Sequence, residues 1–319
     1  MLHPFFITCR GRPSALFGAL ALALGACAAG QIGDPAPGGV PVPTLSYAAD
    51  GGVAEPANPT GADGCKIARP PRSDSALFTN LQADCYYCRQ PTFVDLVKAA
   101  ECFRSGWTTC QNGRSAFATD AAGWPLETPA GDVARSVLGP AYRTGTYLVR
   151  WQGTGRFAIA PVPENGAQPM AKAVTFEATG AGEGTFEVTQ QGSIALEIAA
   201  TDASDHLRNF SVIHRDLVEQ AACDPFYPEL VEYLRPFSGL RMMDWTSTNN
   251  SKQVAWQAHV PSYAYREAGR FETAIALCNR VQRDCWLNVP HQASDDYVTR
   301  LAQLVRERLG LRCRQIRPE

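Results

Sequence analysis

Hydrophobic and polar residues alternate along several short segments in the middle of the chain. These segments are residues 145–151, 155–160, 173–178, 185–189, 193–198 and 207–213. Glycine-rich turns such as 180–184 separate them. A period of two turns one side of each segment towards a core and the other towards solvent, as in antiparallel strands. The regular spacing predicts an antiparallel β-sandwich domain over residues 116–217.

After residue 217 the pattern changes to alternating helices and strands. The predicted helices are 228–234 and 271–281, and the predicted strands are 240–245 and 285–289. Ser294 is the predicted cap of the last helix, and Asp295 and Asp296 follow it, where negative charge is favourable at the start of a helix. The apolar stripe of this last helix is Val298, Leu301, Leu304, Val305 and Leu309. The strand–helix order predicts parallel βα units over residues 218–310.

Two further segments precede the sandwich. Residues 27–63 are rich in proline and glycine and nearly free of large apolar side chains, which predicts a disordered tether. Residues 64–115 are rich in cysteine. Within them, 75–80 has the pattern of a short strand, and 93–100 places apolar residues on one helical face.

The N-terminus has the pattern of a secretory signal peptide over residues 1–26. Arg10 and Arg12 precede an uncharged apolar run, 14–26, that is too short to span a bilayer. The run ends in Leu-Gly-Ala-Cys, which resembles a bacterial lipobox and makes Cys27 the predicted lipidation site. The alternative is an ordinary signal cleaved near Ala26 or Ala29. We therefore expect a protein of the bacterial cell envelope, lipid-anchored in the periplasm or on the cell surface, or secreted.

The net charge bears on the expected binding partner, and the cysteine content bears on the cellular compartment. The formal net charge is −2 and no basic patch stands out, so nucleic acid is not an expected partner. Eleven cysteines in 319 residues indicate an oxidising compartment. With Cys9 removed with the signal, Cys27 lipidated and Cys313 in an atypical tail (311–319), eight disulfide candidates remain. They are Cys65, Cys85, Cys88, Cys102, Cys110, Cys223, Cys278 and Cys285.

The spacing of Cys85 and Cys88 also fits half of a zinc site. Such a site needs a second cysteine pair or a matching histidine pair, and the sequence has neither. A redox CxxC needs a surrounding thioredoxin-like βαβ unit, which the pattern does not predict. We expect no metal and no cofactor.

Polar and aromatic residues follow the predicted strands at 240–245 and 285–289. In βα folds, active sites lie at the carboxyl ends of the strands. The candidate substrate-binding residues are Asp244, Trp245, Asn249, Asn250, Trp256 and His291. Aromatic faces combined with hydrogen-bonding groups suit a sugar, which has apolar C–H faces and many hydroxyls. The alternative is structural: Asp244 and Asn249 cap the next segment, and His291 belongs to a turn.

At these residues the sequence resembles a family. Segments 240–251 and 284–298 are similar to bacterial secreted glycoside-hydrolase-like TIM-barrel proteins, often described as cellulase-like or cellulose-binding. Shorter likenesses at 93–98, 120–125 and 207–210 extend the resemblance. It implies an α/β plus all-β fold, in which a partial (β/α) TIM barrel carries the β-sandwich as an insertion. The strands near 76–81, 240–245 and 285–289 would be the first three of the barrel.

The resemblance also sets an expectation about activity. Retaining TIM-barrel glycosidases use two glutamates, after strands four and seven, and the matching segments are not found in this sequence. Outside the signal peptide, the tether and the sandwich about 150 residues remain, against about 250 for a complete barrel. We therefore expect a C-terminally truncated, inactive protein that binds polysaccharide or oligosaccharide.

Two alternatives remain open. One is a non-catalytic carbohydrate-binding surface lipoprotein, in which the sandwich binds sugar through Trp124, Tyr147 and Trp151. Aromatic residues of a sandwich are more often part of its core. The other alternative is a structural envelope protein.

Overall fold

The computed structural model describes residues 5–8, 70–82, 92–106, 108, 115–162, 172–256, 269–310 and 315–318. Within them the protein is a mixed α/β fold, mostly β-sheet, with several antiparallel sheets and a few helices. Among the described residues, no helix combines the length and the apolar character that crossing a bilayer requires. The signal peptide at 1–26, Cys27 and the tether were predicted in a part of the chain that lies almost entirely outside the described residues.

The secondary-structure elements are as follows. The strands are β1 (Phe5–Thr8), β2 (Phe78–Asn80), β3 (Arg104–Ser105), β4 (Ala134–Ala141), β5 (Gly145–Gln152), β6 (Gly155–Pro161), β7 (Val174–Ala178), β8 (Gly182–Val188), β9 (Gly192–Thr201), β10 (Arg208–His214), β11 (Gly239–Arg241), β12 (Asp284–Trp286) and β13 (Gln315–Pro318). The α-helices are α1 (Val218–Ala221), α2 (Pro228–Tyr233), α3 (Phe271–Val281) and α4 (Asp295–Arg308). Two 3₁₀ turns cover Leu96–Ala99 and Arg215–Leu217.

Two antiparallel sheets occupy the middle of the chain. One has five strands in the order β3-β4-β9-β6-β7, and the other has three in the order β10-β5-β8. A two-stranded antiparallel sheet, β1 with β13, pairs the ends of the chain. The strands that the alternating pattern predicted are confirmed to within a few residues. β4 was not predicted, because Gly139 and Pro140 interrupt its pattern where the register with β9 shifts.

The two central sheets share one hydrophobic core, here called the second core. It contains Trp124, Tyr147 and Trp151, which are 2%, 1% and 8% exposed. Their burial is a feature of a packed core and not of a sugar-binding surface. Gly182 on β8 makes room for Trp151, since a Cβ atom at that position would lie 2.6 Å from the indole.

The third sheet is parallel, with the strand order β12-β11-β2. Leu240 is paired with Cys285 on one side and Thr79 on the other. The parallel arrangement agrees with the predicted βα units, although each strand is only three residues long. Within the described residues these three strands do not close into a barrel.

One face of the parallel sheet is covered by helices. Leu240 and Cys285 are 0% and 1% exposed and lie in a core, here called the first core, with Ile275 of α3 and Leu301 of α4. Cys278 of α3 forms a disulfide with Cys285, with a Cα–Cα distance of 5.7 Å. Cys102 and Cys223 are also disulfide-bonded. The other predicted disulfide cysteines, Cys65, Cys85, Cys88 and Cys110, lie outside the described residues.

Helices α3 and α4 agree with the sequence pattern. Ser294 caps α4 as predicted, because its side chain accepts a hydrogen bond from the Tyr297 backbone N–H at 3.2 Å. Leu301 and Val305 of the predicted stripe are buried. Tyr297, which the stripe did not include, is buried as well.

The prediction of a helix over residues 93–100 was wrong in its length and type. The chain makes only the 3₁₀ turn Leu96–Ala99, because Asp95 is extended and bridges β10 instead of continuing a helix. The Oδ1 atom of Asp95 accepts hydrogen bonds from the backbone N–H groups of Val97 (3.1 Å) and Val212 (2.9 Å). These bonds compete with helix formation around the residue.

The two cores meet along this same segment. Phe93 and Val94 belong to the first core, and Leu96 and Val97 belong to the second. The partly buried side chain of Tyr142 packs against both cores.

Candidate functional site

The loops that follow β11 and β12 meet at one edge of the parallel sheet. The Met242 N–H donates to the Trp286 carbonyl at 2.9 Å, which aligns the ends of the two strands. Further along, the Ser294 N–H donates to the Val254 carbonyl at 2.9 Å. The loop after β12 is therefore joined near its end to the segment after β11, and these two segments carry all six predicted substrate-binding residues.

The chain turns sharply after β11, so the predicted strand 240–245 ends early, at Arg241. The N–H and the hydroxyl of Thr246 both donate to the Met242 carbonyl, at 3.0 and 2.8 Å. Asn250 has a φ of 56°, a left-handed conformation that asparagine tolerates better than most residues. The turn leaves Asn249 and Asn250 exposed and Asp244 half-buried.

The two predicted tryptophans lie deeper than the polar residues. Trp245 is 2% exposed and contacts Phe93 at a ring-centroid distance of 6.5 Å, within the first core. Trp256 is half-buried, with its ring 5.0 Å from Tyr297 and 6.4 Å from Phe271. The structure thus places the Trp256 ring against α3 and α4 and the Trp245 ring against Phe93, while the two asparagines are exposed.

His291 lies in the turn between β12 and α4. The turn is closed by a hydrogen bond from the Ala293 N–H to the Pro290 carbonyl at 3.0 Å. His291 is exposed, and its Nε2 atom lies 3.2 Å from Nε2 of Gln292. Its side chain is therefore accessible to a ligand at the same sheet edge as Asn249.

Further residues of interest lie on the face of the parallel sheet opposite the first core. This outer face, as we call it, is formed by Phe78, Asn80, Gly239, Arg241, Asp284 and Trp286, which share one side of their strands by register. Phe78 and Asn80 are exposed, and Arg241 and Trp286 are half-buried. Period-two alternation within 239–241 and 284–286 is the signal that could have identified them.

The outer face holds an aromatic pair next to a stacked cation. The rings of Phe78 and Trp286 meet edge-to-face at 6.5 Å. Gly239 makes this arrangement possible, because a Cβ atom there would lie 2.1 Å from the Phe78 ring. The Arg241 guanidinium lies over the Trp286 ring at 5.0 Å, within the range of a cation–π interaction.

Two polar atoms near this face lack hydrogen-bond partners among the described residues. They are Nε of Arg241 and Oδ1 of Asn288, and both atoms are buried. Arg241 Nη1 lies 3.5 Å from Asn80 Oδ1, and Nη2 lies 3.3 Å from Met243 Sδ. In the part of the chain that the structure describes, no three His, Cys, Asp or Glu side chains cluster so as to hold a metal ion.

Comparisons with known proteins identify no relative. No family model matches the chain, and no curated protein or solved structure matches it significantly. The family resemblance of segments 240–251 and 284–298 therefore stays a prediction.

Proposed function

We propose that this protein binds polysaccharide at the carboxyl edge of its parallel sheet. The observation that carries the proposal is the Ser294–Val254 hydrogen bond, which joins the loop carrying Asn249 and Asn250 to the segment carrying His291. Exposed Asn249, Asn250 and His291 supply donors and acceptors for sugar hydroxyls. The half-buried indole of Trp286 supplies an aromatic face nearby.

The finer architecture is part of the same proposal. We interpret β2, β11 and β12 as the first three strands of a TIM-barrel-like unit, and the two central antiparallel sheets as an inserted β-sandwich. Three parallel strands with helices on one face support the first interpretation. A single core shared by two antiparallel sheets supports the second.

Binding is proposed in preference to hydrolysis. A retaining glycosidase places two carboxyl groups about 5–5.5 Å apart. Among the described residues of the loops 242–256 and 287–294, Asp244 is the one carboxylate. Asp296 lies in the first turn of α4, where it pairs with Arg300 at 2.9 Å.

Retention on insoluble polysaccharides tests the proposal. We expect the wild-type protein to be retained on at least one member of a panel of cellulose, xylan, chitin and pectin, without release of reducing sugar. The double substitution Asn249→Ala/His291→Ala should abolish retention. The matched control Thr175→Ala/Glu177→Ala removes exposed side chains of β7 and should bind like wild type.

The opposing results are clear-cut. Absence of retention on every polysaccharide, or full retention of the loop variant, would refute the proposed site. Sugar release that disappears with Asp244→Asn would favour the hydrolase alternative.

We also propose that the mature protein is held on the bacterial envelope by a lipid on Cys27. The lipobox-like Leu-Gly-Ala-Cys supports this, since diacylglyceryl modification anchors a protein without a spanning helix. Mass spectrometry of the N-terminal peptide should find lipidated Cys27, and Cys27→Ser should release the protein from membranes. An unmodified N-terminus at Ala28 or later would exclude the anchor.

A further inference from the structure

Arg241 is a cation without a carboxylate partner in the described structure. Two other partly buried arginines pair with acidic groups: Arg135 with Glu197 at 2.8 Å, and Arg280 with Asp224. Arg241 instead contacts an amide oxygen, a thioether and an indole. Arg241 therefore forms no ion pair with the described residues; Asp284, a carboxylate of the same outer face, is paired in register with Gly239 and not with Arg241.

The surroundings of Arg241 already hold its guanidinium in place. Stacking on Trp286 and the contact with Met243 limit the rotation of the side chain before any ligand binds. A guanidinium stacked on an aromatic ring keeps its in-plane N–H groups for a planar anion such as a carboxylate. Little conformational entropy is then lost when a bond to a carboxylate forms.

The rest of the outer face is suited to the body of a sugar. The exposed Phe78 ring, which is 41% accessible, offers an apolar surface to C–H groups. The exposed amide of Asn80 lies beside Arg241 and can bond hydroxyls. An apolar face, an amide and a cation without an ion-pair partner among the described residues together match a sugar that carries a carboxylate.

We propose that the outer face binds uronic-acid residues of an acidic polysaccharide, with Arg241 pairing with the uronate carboxylate. This inference rests on the proposed function, since Trp286 belongs to both the carboxyl edge and the outer face, and it specifies the substrate class. Phe78 and Trp286 would contact the ring of the same sugar unit, and Asn80 its hydroxyls. Charge complementarity at Arg241 selects uronates over neutral sugars, because a neutral sugar leaves the cation unpaired.

Calorimetric titration with matched ligands tests the inference. The ligands are oligogalacturonate, alginate oligomers and glucuronoxylan fragments, each compared with its methyl-esterified, uncharged form. We expect at least one acid form to bind about tenfold or more tightly than its ester. The reason is that only the acid form can make a charge-assisted hydrogen bond with Arg241. Added salt should reduce this preference.

Substitutions assign the preference to one side chain. Arg241→Gln should remove the preference for the acid over its ester, and Arg241→Lys should retain part of that preference. Arg156→Gln is the matched control, since Arg156 is an exposed arginine of β6. Near-ultraviolet circular dichroism checks that each variant keeps the wild-type fold.

The outcomes separate this inference from the proposed function. Equal affinity for acid and ester, or an unchanged preference in Arg241→Gln, would overturn the uronate inference and leave polysaccharide binding standing. Failure of every acidic and neutral ligand to bind would overturn both.

Discussion

At the scale of single residues, Asp95 links the chemistry of one carboxyl group to the stability of the fold. Burial raises its pKa above the ordinary value of 3.8, although the hydrogen bond from Val212 N–H and the charge of Lys98 oppose the rise. The folded state therefore favours the protonated carboxyl. Its contribution to stability is complete below the ordinary pKa and is lost as pH rises through the folded pKa.

We predict that Asp95→Asn weakens this pH dependence. The amide oxygen can still accept from Val97 and Val212, but the side chain no longer ionises. Urea unfolding between pH 4 and 7 should show a smaller fall in the free energy of unfolding than wild type. Asp95→Ala, which leaves both N–H groups without this acceptor, should cost about 1–3 kcal/mol at pH 4. This cost should shrink as pH rises, because the wild-type carboxyl then loses its own contribution to stability. An unchanged pH slope in Asp95→Asn would assign the effect to another group.

At the scale of elements, α4 shows how local signals define a helix. We predict that Ser294→Ala lowers the free energy of unfolding by about 1 kcal/mol, because the Tyr297 N–H loses its side-chain acceptor. Thr299→Ala, on the exposed side of the same helix, is the control and should stay within about 0.5 kcal/mol of wild type. Chemical denaturation measures both, and equal losses in the two variants would contradict a capping role.

Elements defined by local signals were predicted better than those defined by distant contacts. Helices α3 and α4 carry their periodicity and the α4 cap in contiguous sequence, so their bounds were predictable. The apolar pattern of 93–100 is also helical, but Asp95 bonds to β10, more than a hundred residues away. Likewise, Arg241 and Trp286 become neighbours only through the register of β11 with β12, which no local pattern fixes. The exposure of Asn249 and His291 was predictable because both lie in polar loop segments. The burial of Trp245 was not, because it depends on packing against Phe93, which is distant in sequence.

At the scale of the whole molecule, the two cores are coupled. The segment 93–97 belongs to both, and Arg143 beside β5 pairs with Glu229 of α2 at 2.6 Å and lies 5.4 Å from the Tyr227 ring. We therefore predict one calorimetric unfolding transition in the disulfide-intact protein. Val94→Ala in the first core and Val97→Ala in the second should each lower the Tm of this same transition. Two separated transitions, each moved by only one variant, would show that the cores unfold independently.

The buried disulfide between α3 and β12 allows the opening of the surrounding core to be measured through its rate of reduction. Cys278 and Cys285 are 0% and 1% exposed, so a small thiol reaches their sulfur atoms only while this part of the first core is open. The rate of reduction in excess thiol therefore counts opening events under native conditions, without any added label. Trp286 directly follows Cys285, so an oligosaccharide held on the outer face should slow reduction without touching either sulfur. The reduction rate of the disulfide on one side of the sheet then reports whether a ligand is bound on the other side.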